Sequence, residues 1–348
     1  MRTNQCEAAA TKLVIIAMVW VWTAAPPPLL AQPTQEPTEP QQARHILEQH
    51  RDAAVGQLLE AAQSDVPALR ANALEATQFV PEEAEALLRR GLEDDNPGVL
   101  FSALLSVGKL GLEELSDIAI SMRSHSQPSV RAAALYAAAA CGREVDLSPL
   151  ALMLASPDPS VRGNVGMLMG MLGDASAIPM LKELAHVPMP RASAVRHAIV
   201  RLQIAEALVQ LGQEGALDAL RAGAYSHYDE VRVLAVQALG KLEDAGMQTA
   251  FKQMVQSNEP IELRLAAAEA LARTGGARGG TASQAAARVM REAADWNKPA
   301  IRAQAAFTLR WYPQPGSARR LVELLTQDPS DQVRVSAAAA LLGALQQK

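Results

Sequence analysis

"DPSVRGNVGMLMGMLG", residues Asp158–Gly173, decides the fold of this 348-residue chain. It opens with an acidic residue and a proline, as a capped helix with proline in its first turn would begin. A valine–arginine pair follows, then a run of small and apolar residues, then a glycine placed to end the helix. Standing alone, the stretch would predict one helix, but its frame recurs along the chain.

An arginine behind an aliphatic residue returns as Arg70, Arg131, Arg162, Arg201, Arg232, Arg264, Arg302 and Arg334, with Leu100 in the same frame. The steps are 30, 31, 31, 39, 31, 32, 38 and 32 residues, a period that marks stacked helical repeats. Pro67, Pro97, Pro128, Pro159 and Pro299 stand three residues before the frame position. Asp65, Asn96, Ser126, Asp158 and Asn297 precede them as expected N-caps. Small or apolar residues three and seven positions after the arginine form a buried stripe at helical spacing. Glycines 108, 142, 173, 212, 240, 275 and 343 are expected to stop these helices. Between them lie segments such as "EEAEALLRRGLED" and "SARRLVELLTQD", each with its own helical periodicity.

The prediction is an all-α solenoid of about nine two-helix repeats over residues 45–345. At about 8–10 Å between adjacent helices, the repeats would make a curved rod about 80 Å long. Composition agrees. Hydrophobic residues make up 49% and aromatics only 3%, so small residues must build the core and let helices approach closely. The four glycines of the opening stretch weaken its helix, which close approach between helices would explain. Six of the twelve methionines, Met153 to Met189, read mainly as core filler.

The first 31 residues differ. Arg2 and Lys12 precede the apolar run "LVIIAMVWVW" and a small-residue exit, the plan of an export signal. Pro26 disfavours cleavage after Ala25, which places the cut after Ala31. The alternative is an uncleaved membrane anchor, although the apolar run falls short of the roughly 20 residues that span a bilayer. Residues 32–44 begin as "QPTQEPTEPQQ" and read as a proline-rich tether. Removing the signal removes Cys6 and leaves Cys141 as the only cysteine, so no intramolecular disulfide is expected. The expected location is periplasmic or secreted, with contact to a membrane only through an uncleaved N-terminal segment.

The "D-x-x-V-R-x-x-A" motif, present as "DPSVRGNV", "SQPSVRAAA" and "DQVRVSAAAA", resembles the HEAT-repeat family, in particular its short, phycobilisome-lyase type. The resemblance covers nearly the whole chain after the tether and implies that the second helix of each repeat lines a concave face. Positions two, five and nine after the frame arginine share one helix side and should face outward from the core stripe. Among them Tyr136, Met167, Met171, Glu206, Lys241, Arg273, Phe307 and Trp311 are the expected partner-binding residues. Phe307 and Trp311, with Tyr312 and Trp296 near, concentrate the scarce aromatic content. The eight repeat arginines read as structural, each reaching an acidic or carbonyl group at a repeat junction.

Catalytic signatures are missing: no H-E-x-x-H, G-x-S-x-G, C-x-x-C or G-K-[ST] occurs. The six histidines (45, 50, 125, 186, 197 and 227) are scattered, so no metal site or cofactor is expected. The glycine-rich "RTGGARGGTAS" and the stretch "VPMPRASAVRHAIVR" account for the two long steps and read as insertions. A net charge of −5 argues against nucleic acid. The expectation is an exported, non-enzymatic scaffold that holds a protein or peptide partner on its concave face. The alternative that the resemblance implies is a lyase or chaperone handling a tetrapyrrole.

Overall fold

Proline in the first turn and small residues along the contact face set the start and the packing of the frame helices. The computed structural model describes residues 37–276 and 280–347. The expected export signal lies outside the described residues, as does part of the glycine-rich insertion. Residues 38–348 form one unit by themselves. It opens with α1 (Glu39–Glu48) and continues as nine helix pairs among the described residues. The first helices of the pairs are α2 (Arg51–Ala61), α4 (Pro81–Gly91), α6 (Ser116–Ser121), α8 (Ser148–Leu154), α10 (Ile178–Leu184), α12 (Leu217–Gly223), α14 (Gln248–Gln256), α16 (Gly280–Ala294) and α18 (Pro315–Gln327). The second, frame helices are α3 (Pro67–Glu75), α5 (Pro97–Leu110), α7 (Pro128–Ala140), α9 (Pro159–Leu172), α11 (Ala194–Gln210), α13 (Asp229–Lys241), α15 (Ile261–Arg273), α17 (Pro299–Leu309) and α19 (Asp331–Gln346). The chain is helical from Glu39, so the expected tether ends earlier than residue 44. A capping box joins Thr38 and Gln41 there.

Side-chain caps form where the polar residue sits immediately before the proline. Asn96 accepts from the Gly98 and Val99 N–H groups, and Asp158 from that of Ser160. Asp65, Ser126 and Asn297 lie one residue further out, and Val66, Gln127 and Lys298 take the cap positions without a side-chain bond. Glycines divide in the same way. Gly173 ends α9 in the left-handed region at φ 73°, and Gly142, Gly212 and Gly275 follow suit. Gly108, Gly240 and Gly343 instead lie inside helices, where a neighbour occupies the space a side chain would fill. At Gly240 an added Cβ would come within 2.8 Å of the Ala270 Cα. Gly170 has the same relation to the Ala207 Cα, at 2.7 Å.

The frame residue is the fourth of every inner helix but α11, and where it is an arginine it reaches a repeat junction from there. Arg70 grips Asp94 through Nε and Nη2 at 2.7 and 2.9 Å and donates to the Ser64 carbonyl. Arg302 repeats this with Asp328, at 2.7 and 2.9 Å, and with the Trp296 carbonyl. Arg232 pairs with Glu259 at 2.7 Å and Arg264 with Glu292 at 3.2 Å. Arg131 and Arg162 donate to loop carbonyls. Arg334 donates to the Asp328 carbonyl. Arg201 departs from the frame: it is exposed, with no ion pair or hydrogen bond among the described residues. The reason is geometric. α11 begins seven residues before Arg201, so the fourth position falls to His197, whose Nε2 lies 2.8 Å from the Met189 carbonyl oxygen.

The repeats do not run out as a rod. α2 packs along α19, α1 along α18, and α3 touches α19, so the last pair meets the first. Arg334 Nε donates to Gln57 Oε1 at 3.4 Å and Gln346 to the Gln78 carbonyl at 3.5 Å, across 277 and 268 residues of chain. Leu47, Leu58, Ala73, Leu325 and Leu341 share one buried core. The expected rod is therefore corrected to a closed ring, in which each end covers the other's apolar face.

Two outcomes follow from this packing. Gly240→Ala gains helix propensity but meets backbone, so it should destabilise by about 1–3 kcal/mol. Gly56→Ala, with nothing within 4 Å, should stabilise by about 0.5–1 kcal/mol; thermal or urea unfolding of both variants checks the contrast. The second outcome concerns acid. Arg70 holds the Asp94 carboxyl below the ordinary range, as Arg221 does for Asp244. Burial raises Asp328, but Arg302 and the Ser330 N–H outweigh it, and the net shift is downward. These groups lend stability when ionised, so it is present above about pH 4 and lost as pH falls through their folded-state range. Melting temperature should drop on acidification, and less steeply in an Asp94→Asn/Asp328→Asn variant that starts lower.

Candidate functional site

Closing the ring turns the concave face into an interior. Side chains at the second, fifth and ninth frame positions converge there from helices far apart in sequence. Asn72 and Glu75 of α3, Lys241 of α13, Glu269 and Arg273 of α15 and Phe307 of α17 line one cavity of about 550 Å³. Phe79, from the 3-10 turn after α3, joins them, as do Arg310, just past the end of α17, and Ser336 of α19. A smaller space of about 150 Å³ adjoins it at Gln237 and Lys241 and is lined also by Met167, Gln203 and Glu206.

The interior charges are unevenly paired. Arg273 pairs with Glu269 at 2.9 Å, one helical turn away, and lies over the Trp311 ring at 4.2 Å. Lys241 reaches Glu206 only at 3.7 Å. Glu75 accepts a hydrogen bond from the Ser102 hydroxyl at 2.9 Å. Arg310 has no carboxylate partner among the described residues. Its guanidinium sits between the Phe79, Phe307 and Trp311 rings at 5.9, 5.7 and 4.9 Å, and its Nε is covered and unpaired. Burial lowers the Arg310 pKa, with Arg273 adding to this and Glu269 opposing it. Lys109, nine residues after Leu100 in the repeat frame, is exposed. Desolvation lowers its pKa, Glu75 opposes this, and Lys241 lowers it further.

The expected partner-binding residues separate accordingly. Lys241, Arg273 and Phe307 line the larger cavity, and Met167, Glu206 and Lys241 the smaller. Met171 is half-buried against the core. Trp311 is half-buried beneath Arg273 and Arg310, and its indole N–H is covered and unpaired. Tyr136 is a correction. It is 3% exposed, because its ring from α7 lies in the space left open by Gly108 of α5. Burial pushes its hydroxyl up to about 12. An internal glycine 28 residues upstream was the available signal. Phe79 stands nine residues after Arg70, on the side expected to face inward, and Lys109 nine after Leu100. Arg310 falls outside that frame, and only ring closure brings Phe79 of the first repeat beside it in the eighth.

HEAT-repeat models match residues 55–139, 118–199, 147–240, 190–272 and 248–342. The chain belongs to the HEAT-repeat family. Among solved structures, this HEAT protein is similar to the complex of CpcE and CpcF of phycocyanin lyase from Nostoc. The identity is 17%, the match covers 75% of this chain and 97% of that one, and the TM-score is 0.43. Human deoxyhypusine hydroxylase matches at 19% identity over 77% and 97%, with a TM-score of 0.38. An engineered protein matches at 16% over 90% and 97%, with a TM-score of 0.31. No curated protein sequence matches. Two of these structures carry the names of enzymes, a lyase and a hydroxylase. That finding overturns the expectation of a non-enzyme, which rested on missing motifs. At these scores the likenesses assign no reaction to this HEAT protein, whose fold rests on the repeat models and on its own helix pairs.

Among the described residues no cluster of histidine, cysteine, aspartate and glutamate is placed to hold a metal. No described helix is long and apolar enough to cross a membrane.

Proposed function

We propose that this HEAT ring is an exported binding protein that takes a short peptide segment or a small ligand into its centre. The observation carrying this reading is the convergence of Phe79, Lys241, Glu269, Phe307 and Arg310, from four repeats, on one cavity of about 550 Å³. The volume falls in the roughly 300–1,000 Å³ range of ligand sites, and the wall is largely polar, with Phe79 and Phe307 as its large apolar surfaces. The volume suits a small molecule or the tip of a chain, not a folded domain. A protein partner would therefore insert a segment. Export rests on residues 1–31, whose charged start, apolar run and small-residue exit fit a cleaved signal.

Two measurements test the reading. Short peptides and small molecules found to bind by ligand-observed NMR should lose about tenfold or more in affinity with Phe307→Ala, at matched helicity. Binders indifferent to that change would contradict a site at the ring centre. N-terminal sequencing of the mature protein should begin at Gln32; a chain still carrying Leu13–Trp22 would contradict export by cleavage.

A further inference from the structure

The chain is acidic, of net charge −5, yet the charges of its ring interior are evenly matched in number and unevenly paired. Three cations, Lys241, Arg273 and Arg310, line its two cavities with three carboxylates, Glu75, Glu206 and Glu269. Arg273 is satisfied by Glu269 and Lys241 loosely by Glu206. Arg310 has no ion pair among the described residues. A guanidinium held away from bulk water without a carboxylate or carbonyl is costly. Three aromatic faces offset part of that cost through cation–π attraction.

We infer that the ring centre is a site for a small organic carboxylate with a flat apolar body, its carboxylate on the Arg310 guanidinium and its body against Phe79 and Phe307. The inference rests on the reading that the ring centre binds a ligand, and it names the ligand's chemistry. The planar fork of a guanidinium matches a carboxylate with two parallel hydrogen bonds. Lys241 adds field of the same sign without crowding the fork. Glu75 and Glu269 set the upper limit on ligand charge. A dianionic phosphate would meet two wall carboxylates, whereas a monoanion matches the one lining cation without an ion pair, Arg310. A cationic ligand would face three like charges, and a neutral one would leave Arg310 as it stands.

Calorimetric titration of the full chain with 2-naphthoate, 2-naphthamide and inorganic phosphate tests the assignment. The naphthoate and naphthamide share one shape and differ in charge. Naphthoate is expected to bind at least about tenfold tighter than naphthamide, with phosphate weaker than naphthoate. Arg310→Met should abolish the preference. Arg310 also packs at the seam, so Lys241→Met serves as a variant at an exposed position of the wall, expected to weaken naphthoate about two- to fivefold and naphthamide by less. Equal binding of naphthoate and naphthamide would overturn the carboxylate assignment and leave the ring-centre reading intact. Phosphate binding tighter than naphthoate would also overturn it. Binding of neither aromatic probe up to about 5 mM would overturn the ring-centre reading itself.

Discussion

A stack of amphipathic helix pairs has a problem at its ends, where the first and last repeats present apolar faces that no neighbour covers. Here each end covers the other. α2 lies along α19 and α1 along α18, and Leu47, Leu58, Leu325 and Leu341 belong to one core. No polar capping repeat is needed, and the interior that results exists only while the seam holds. Phe79 from the first repeat reaches Gly343 of the last, where an added Cβ would lie 3.2 Å from its ring. A glycine in the last helix is thus the space that admits an aromatic from the first.

The junctions between neighbours use a different device. The fourth residue of an inner helix reaches back to the carbonyls of the preceding loop or forward to a carboxylate of the next unit. Arg302 and Asp328 are both mostly covered, with two parallel bonds between them. Arg162, 2% exposed, does the same work with carbonyls alone. Both arrangements fix the angle between consecutive repeats, and small angles of one sign, summed over nine repeats, amount to a full turn.

That sum explains what could be read from the chain and what could not. Helix identity, repeat number and the inward side of each frame helix follow from periodicity and from proline in the first turn, because these are local properties. Lys241, Arg273 and Phe307 fell on the cavity wall for that reason. Curvature is a small per-repeat rotation set by packing, and no motif encodes it, so the ring and the meeting of Phe79 with Arg310 stayed hidden. Arg201 shows a second limit: one added helical turn at α11 moved the frame contact to His197 while leaving the apolar stripe in phase. Tyr136 shows a third, since its outward register was overridden by the vacancy at Gly108. Three glycines that read as helix stops proved to be contact points, because a glycine looks the same in sequence whichever service it performs.

The closed seam is the claim on which the interior, its charge balance and its proposed ligand all rest. Spin labels placed at the exposed positions Arg44 of α1 and Arg319 of α18 would report it through their separation in solution. Neighbouring helices about 8–10 Å apart, plus label tethers, predict one narrow distribution near about 20–35 Å. A distribution centred beyond about 60 Å, as an open rod of nine repeats would give, would contradict the ring.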